Sequence, residues 1–344
     1  MTDIHIRIEG RAGRITLARP DALNALTYEM VLAIEAAIDS WHSADVDLVI
    51  IDAEGSRAFC SGGDISDMYA SGLRGDYEYG RKFWRDEYRL NAKLFEYPKP
   101  VVSFLQGFTM GGGVGVGCHG SHRIVGESSQ IAMPECGIGL VPDVGGSLML
   151  TLAPGRLGEY LGTTATRMNA ADAIFVGFAD AFVPEAEWDT VKAALVASGD
   201  VSAIPAHEAT GGVLEALQPE IDKHFCGETL GDIVKNLTSE DTEFTASALK
   251  ALRRNAPLAM GCAIQIVRRL RSATSIYQAL EMEYRYTFRA MEQGDFIEGI
   301  RAAIIDKDRS PKWAHSGPDA VPAIDVATMI KPLGADKLSL GDIA

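Results

Sequence analysis

Val101-Val-Ser-Phe-Leu-Gln-Gly-Phe-Thr-Met-Gly-Gly-Gly-Val-Gly-Val-Gly117 is the stretch that decides the fold. Its first part, 101–105, is apolar enough for a buried strand, and Pro98 and Pro100 separate it from what precedes. The glycines that follow carry no Cβ, so the backbone can approach a neighbouring element or a ligand and turn its N–H groups toward it. Leu48-Val-Ile-Ile51 repeats the pattern: a buried strand leads into Asp52-Ala-Glu-Gly-Ser-Arg-Ala-Phe-Cys-Ser-Gly-Gly-Asp64. A strand followed by a glycine loop, twice, predicts adjacent parallel strands that deliver backbone donors to one place. Close helix packing is the competing use of the glycines.

Working outward, residues 3–8 and 13–18 alternate polar and apolar around Gly13 and predict a hairpin. Thr27 is placed to cap a helix whose apolar positions Met30, Ile34, Ala37, Ile38 and Trp41 recur at helical spacing. An aromatic-rich amphipathic helix is expected over 76–96, ended by the two prolines, and Arg123-Ile-Val125 reads as a short strand. Repeated returns from strand to helix predict an α/β core with right-handed crossovers. From about residue 185 helical periodicity takes over, so Pro184 divides a 1–184 core from a mainly helical 185–344 region. Met260–Leu270 and Ser275–Tyr284 are amphipathic helices suited to covering the core or pairing subunits, whereas the tail after Trp313 gives weak signals.

With 344 residues, 47% of them apolar, the chain can bury a large core. A formal net charge of −15 provides no cationic field for phosphate backbones, which disfavours nucleic acid as a partner. Cys60, Cys118, Cys136, Cys226 and Cys262 have neither disulfide-scaffold density nor metal-ligand spacing, and a reducing cytoplasm is the expected setting. The N-terminus enters a strand pattern without a signal-peptide profile, and no apolar run reaches the roughly 18 to 20 residues of a membrane span. No membrane partner is expected.

Chemistry concentrates in Ala132-Met-Pro-Glu-Cys-Gly-Ile-Gly-Leu-Val-Pro-Asp-Val-Gly-Gly146, where Glu135 and Asp143 stand among apolar and glycine residues. A charge in such company needs a reason, and carboxylates beside backbone donors fit carbonyl chemistry. Gly115-Val-Gly117-Cys-His-Gly120 formally matches a dinucleotide fingerprint, but the match begins well after the strand instead of in the turn directly following it. A Walker A lysine and a Gly-x-Ser-x-Gly elbow are both missing from the sequence. Cys118, His119 and His122 lack a fourth metal ligand at recognisable spacing and read as structural, so no metal site is expected; Asp64 reads as the cap of the helix after it.

Together, Pro20-Asp-Ala-Leu-Asn-Ala-Leu26, Ala58-Phe-Cys-Ser-Gly-Gly-Asp-Ile65 and Gly107–Gly113 resemble the enoyl-CoA hydratase/isomerase, or crotonase, superfamily, over about residues 5–313. Phe104–Gly115, Ala132–Gly146, Met282-Glu-Tyr-Arg285 and Ile305-Asp-Lys-Asp-Arg-Ser-Pro-Lys-Trp313 are most similar to its 3-hydroxyisobutyryl-CoA hydrolase branch. The resemblance implies a crotonase-like ββα spiral core with a helical C-terminal region, and cleavage of a short-chain hydroxyacyl-CoA thioester in valine breakdown. It implies that the amides of Gly63 and Gly112 hold the thioester oxygen, with Glu135 and Asp143 as the working carboxylates. Glu87 matches a further substrate-facing position, the alternative being a surface helix residue. Ala22, Leu23, Ser61, Gly63, Asp64 and Ile65 match CoA-binding positions. Gly115 stands where hydratases carry a second glutamate, which disfavours hydration; hydratase or isomerase action on another acyl-CoA is the alternative. No cofactor beyond the substrate's own CoA is implied, and a homo-oligomer is expected.

Overall fold

Leu48, Ile50, Val102 and Phe104 enter one apolar cluster while Val49, Ile51 and Val101 enter another, so successive strand residues serve opposite faces of a sheet. That near-continuous apolar character is what a parallel sheet covered on both faces requires. The computed structural model describes residues 3–341. Its strands are β1 (Ile4–Glu9), β2 (Ala12–Leu17), β3 (Leu48–Ala53), β4 (Ala58–Cys60), β5 (Val101–Phe104), β6 (Phe108–Met110), β7 (His122–Val125), β8 (Gln130–Ala132) and β9 (Ala181–Phe182).

One sheet has the order β1-β2-β3-β5-β7-β9, and a smaller one β4-β6-β8. Among the named strands of the described residues only β1 and β2 pair antiparallel; the other pairings between them are parallel, including β3 with β5 and β4 with β6. Each of β3, β5 and β7 is thus followed by a partner strand in the second sheet and then by helical chain, which is a ββα spiral. The hairpin forms as expected. Thr27 accepts the amide of Met30 at 3.2 Å to start helix Tyr28–Trp41, whose buried face is the one its spacing predicts.

Helix Trp188–Ser198 covers one face of the large sheet through Trp188, Val191 and Leu195. After β9 every named element is helical. Helix Ile276–Gln293 lies against Glu78–Phe95: the Tyr88 and Tyr284 rings meet edge-on at 6.2 Å, and Tyr286 Oη donates to the Gly139 carbonyl at 2.9 Å. The C-terminal helices therefore share the larger apolar cluster with the spiral core and close over the loops that leave it.

Two expectations are corrected. The glycine run is a short helix, Gly112–Gly117, instead of an open loop. Glycine has poor helix propensity, but packing overrides it: a methyl on Gly113 would lie 2.4 Å from the Cys60 carbonyl oxygen, and one on Gly117 2.6 Å from Leu105. Asp64 does not cap the next helix, which begins at Ser66 with Ile65 at its N-cap. Its carboxylate instead faces Arg19 at 3.2 Å and meets the Ser66 amide at a long 3.4 Å.

Candidate active site

Parallel pairing of β3 with β5 and of β4 with β6 brings the two glycine loops side by side. Gly62, at φ +115°, and Gly111, at φ +52°, turn the chain through conformations that favour glycine. A methyl on Gly112 would sit 3.2 Å from the Gly63 amide nitrogen and 2.9 Å from Glu87 Oε1; one on Gly111 would sit 2.9 Å from Glu135 Oε1. Among the described residues neither the Gly63 nor the Gly112 amide donates a hydrogen bond. Two free donors and two carboxylates thus converge on one point.

That point opens into a cavity of about 650 Å³ whose lining includes all the residues expected at the site: Ala22, Leu23, Ser61, Gly63, Asp64, Ile65, Glu87, Gly112, Glu135 and Asp143. Phe83, Trp84 and Phe296 give it apolar walls, and Ala303, Ile304 and Lys307 reach it from the C-terminal region. Phe83, Glu87 and Asn91 recur every four residues along helix Glu78–Phe95, so one stripe faces inward. Glu87 is buried, which rules out the surface-residue alternative.

Glu135 opens a 3-10 turn after β8 and is 4% exposed, yet neither of its oxygens has a hydrogen-bond donor among the described residues. Burial and the neighbouring charges of Asp143, Glu283 and Glu87 hold its carboxyl well above the usual carboxylate range. Burial likewise raises Glu87, with Asp143 adding to the shift. Asp143 is pushed up to about 7 by burial, opposed by the hydrogen bond that Tyr88 Oη donates at 2.8 Å. Such a cluster cannot be fully ionised, because like charges at close range in a low-dielectric site exclude one another.

The turn carrying Asp143 is firmly held. Val144 and Gly145 follow it at φ +54° and +79°, a strained choice for a β-branched residue. The Val144 carbonyl accepts from His119 Nε2 at 2.6 Å, and burial lowers the imidazole to about 4 and keeps it neutral. His119 is structural, as its sequence context indicates. Glu283 accepts the amides of Gly145 at 2.9 Å and Ser147 at 3.1 Å, as well as the Ser147 hydroxyl. Tyr88 and Glu283 were missed as site residues by sequence reasoning; for Glu283 the available signal was the Met282-Glu-Tyr-Arg285 match.

Gly115 has a structural reason as well as a chemical consequence. A Cβ there would fall 2.7 Å from Asn91 Nδ2 and 2.8 Å from Val144 Cβ, so the space of a second glutamate is already filled. Residues 12–330 match the model of the family described as enoyl-CoA hydratase/isomerase. The chain belongs to that family. Among its relatives, 3-hydroxyisobutyryl-CoA hydrolase, mitochondrial, of Gallus gallus is 33% identical over 98% of this chain and 91% of its own length. The Danio rerio protein of the same name is 36% identical over 89% and 84%. Among solved structures, that of an enoyl-CoA hydratase from Rhodobacter sphaeroides 2.4.1 is 56% identical and superposes with a TM-score of 0.96, covering 98% of this chain and 100% of its own. A Carnitinyl-CoA dehydratase from Mycobacterium thermoresistibile is 37% identical with a TM-score of 0.94, covering 99% of each chain. The chain is therefore a crotonase-fold enzyme, and acyl-CoA substrates follow from the family.

Proposed function

We propose that this family member hydrolyses 3-hydroxyisobutyryl-CoA to 3-hydroxyisobutyrate and CoA, the thioester step of valine breakdown. The observation that carries the reading is Glu135: a buried carboxylate with no hydrogen-bond donor among the described residues, beside two amides that donate to none of them, in a cavity. A folded protein retains such a group at a cost that binding or chemistry must justify. The relatives named for this hydrolase activity support the substrate.

In this mechanism the thioester oxygen accepts from Gly63 and Gly112, whose amides gain strength as charge develops there. Glu135 either attacks the carbonyl carbon, expelling the CoA thiolate and leaving a mixed anhydride that water splits, or takes a proton from the water that attacks. Asp143 fixes the substrate hydroxyl and passes a proton to the departing sulfur, while Glu87 lines the acyl end. Ala22, Leu23, Ser61, Asp64 and Ile65 take the CoA moiety at the mouth. Water is the only co-reactant, so no further cofactor is proposed.

Likeness to the Rhodobacter enoyl-CoA hydratase favours a second reading, hydration or isomerisation of another acyl-CoA. Against it stands the filled space at Gly115. Following free thiol together with enoyl absorbance separates the two. Our reading expects thiol release from 3-hydroxyisobutyryl-CoA far faster than from isobutyryl-CoA; equal rates on both reject the substrate, and rapid crotonyl-CoA hydration without thiol rejects the reaction.

All five cysteines are free, which supports the proposal of a reducing, cytoplasmic setting. Among the described residues no helix is long and apolar enough to cross a membrane. We also propose a homo-oligomer assembled through the C-terminal helices.

A further inference from the structure

We propose that Glu220, His224 and Glu240 form a divalent-cation site suited to zinc, one that shares no residue with the acyl-CoA cavity. Glu220 and His224 are four residues apart on helix Leu214–His224 and so project from one face of it. Glu240 comes from the connection between helices Leu230–Thr238 and Glu243–Arg254. One ligand atom from each of the three lies within 4.8 Å of the others.

His224 turns this acidic pair into more than a patch of surface charge. Its side chain is 1% exposed and its Nδ1 faces the Asn236 carbonyl at 3.2 Å. A carbonyl only accepts, so Nδ1 carries the hydrogen and Nε2 is the ring atom turned toward the two carboxylates. Among the described residues that nitrogen is buried without a hydrogen-bond partner, as is Glu220 Oε2. Nε2 lies 3.5 Å from Glu220 Oε2 and 3.7 Å from Glu240 Oε2. Metal–ligand bonds of about 2.0–2.1 Å in a tetrahedron require ligand atoms roughly 3.4 Å apart, so these separations need little adjustment.

The surroundings also fit. A backbone carbonyl on the far nitrogen is the usual device for orienting a metal-binding imidazole. Lys223 pairs with the other oxygen of Glu240, which steadies that carboxylate and leaves Oε2 to the site. Glu220 and Glu240 are 44% and 37% exposed, which provides an entry path and room for a water as fourth ligand. Cys226 is exposed but its thiol donates to the Lys223 carbonyl at 3.1 Å, so it stays outside the ligand set. A bound ion would pin the end of helix Leu214–His224 to the Glu240 connection. The sequence conceals the set because Glu-x-x-x-His and a glutamate sixteen positions further on match no familiar ligand spacing.

The test is zinc titration of the metal-stripped, full-length protein by calorimetry, followed by the absorption spectrum of the cobalt-substituted form. One zinc per chain is expected, with a rise in Tm and the d–d bands of a low-coordinate nitrogen-and-oxygen site. His224→Ala should weaken binding by at least about 10-fold, Cys226→Ser should leave it unchanged, and thiol release from the acyl-CoA should persist in both. Should His224→Ala fold poorly, Glu220→Gln and Glu240→Gln carry the same expectation at more exposed positions. The proposal is overturned if the parent protein takes up no stoichiometric zinc, if these variants bind as tightly as the parent, or if Cys226→Ser abolishes uptake. A doubly protonated His224 paired with both carboxylates in zinc-saturated solution also overturns it.

Discussion

Asp143 acts on Glu135 through charge as well as on substrate through contact. Its carboxylate is among the causes that raise Glu135, so an ionised Asp143 makes Glu135 harder to ionise. The attacking or base form of Glu135 is the ionised one, and raising its pKa therefore moves the acid limb of the rate profile to higher pH. Asp143→Asn keeps an acceptor for the Tyr88 hydroxyl but removes the charge. The midpoint of that limb in kcat/KM should then shift to lower pH, with a reduced plateau because an asparagine cannot relay a proton to the departing sulfur. Glu135→Ala should lower turnover by at least about 100-fold while CoA still binds. A limb that stays in place in Asp143→Asn, or turnover retained in Glu135→Ala, contradicts the assignment of these carboxylates.

At the scale of elements, the loop after residues 301–305 brings Lys307 to the cavity, at φ +56°. It is the one basic residue in the lining among the described residues, whereas CoA carries several phosphate charges. Lys307 is exposed, and an ion pair in water contributes under about 1 kcal/mol. Lys307→Ala should accordingly raise KM for the thioester roughly 2- to 5-fold and leave kcat unchanged. Steady-state kinetics at low and high salt check this; a kcat effect with unchanged KM contradicts it. Lys307 appears in the sequence only as part of Ile305–Trp313, with nothing to mark its place at the cavity. Other elements were legible for physical reasons. Strand β3 begins with the apolar run Leu48–Ile51 and β5 is apolar but for Ser103, and Thr27 with Pro98 and Pro100 punctuates helices. Strands β4, β6 and β8 are three residues each, too short for alternation to register. Tyr88 and Glu283 act across 55 and 138 residues of chain, a separation that only the folded structure closes.

On the scale of the whole molecule, helix Ile276–Gln293 does two jobs: it covers the spiral core and its Glu283 fixes the turn beneath Asp143. The division between 1–184 and 185–344 is proposed as a change of architecture, with the second region completing the site of the first. Sedimentation over a concentration series should show an oligomer; a monomer throughout contradicts the assembly proposal. The central claim is that one cavity joins two backbone donors to a carboxylate pair for thioester cleavage. A crystal structure with a non-hydrolysable hydroxyacyl-CoA analogue tests it most directly. The thioester oxygen should lie about 3 Å from the amide nitrogens of Gly63 and Gly112, with Glu135 at the carbonyl carbon or one water away and Asp143 at the hydroxyl. An analogue bound in a turnover-competent crystal with both carboxylates more than about 8 Å from the thioester would contradict the account.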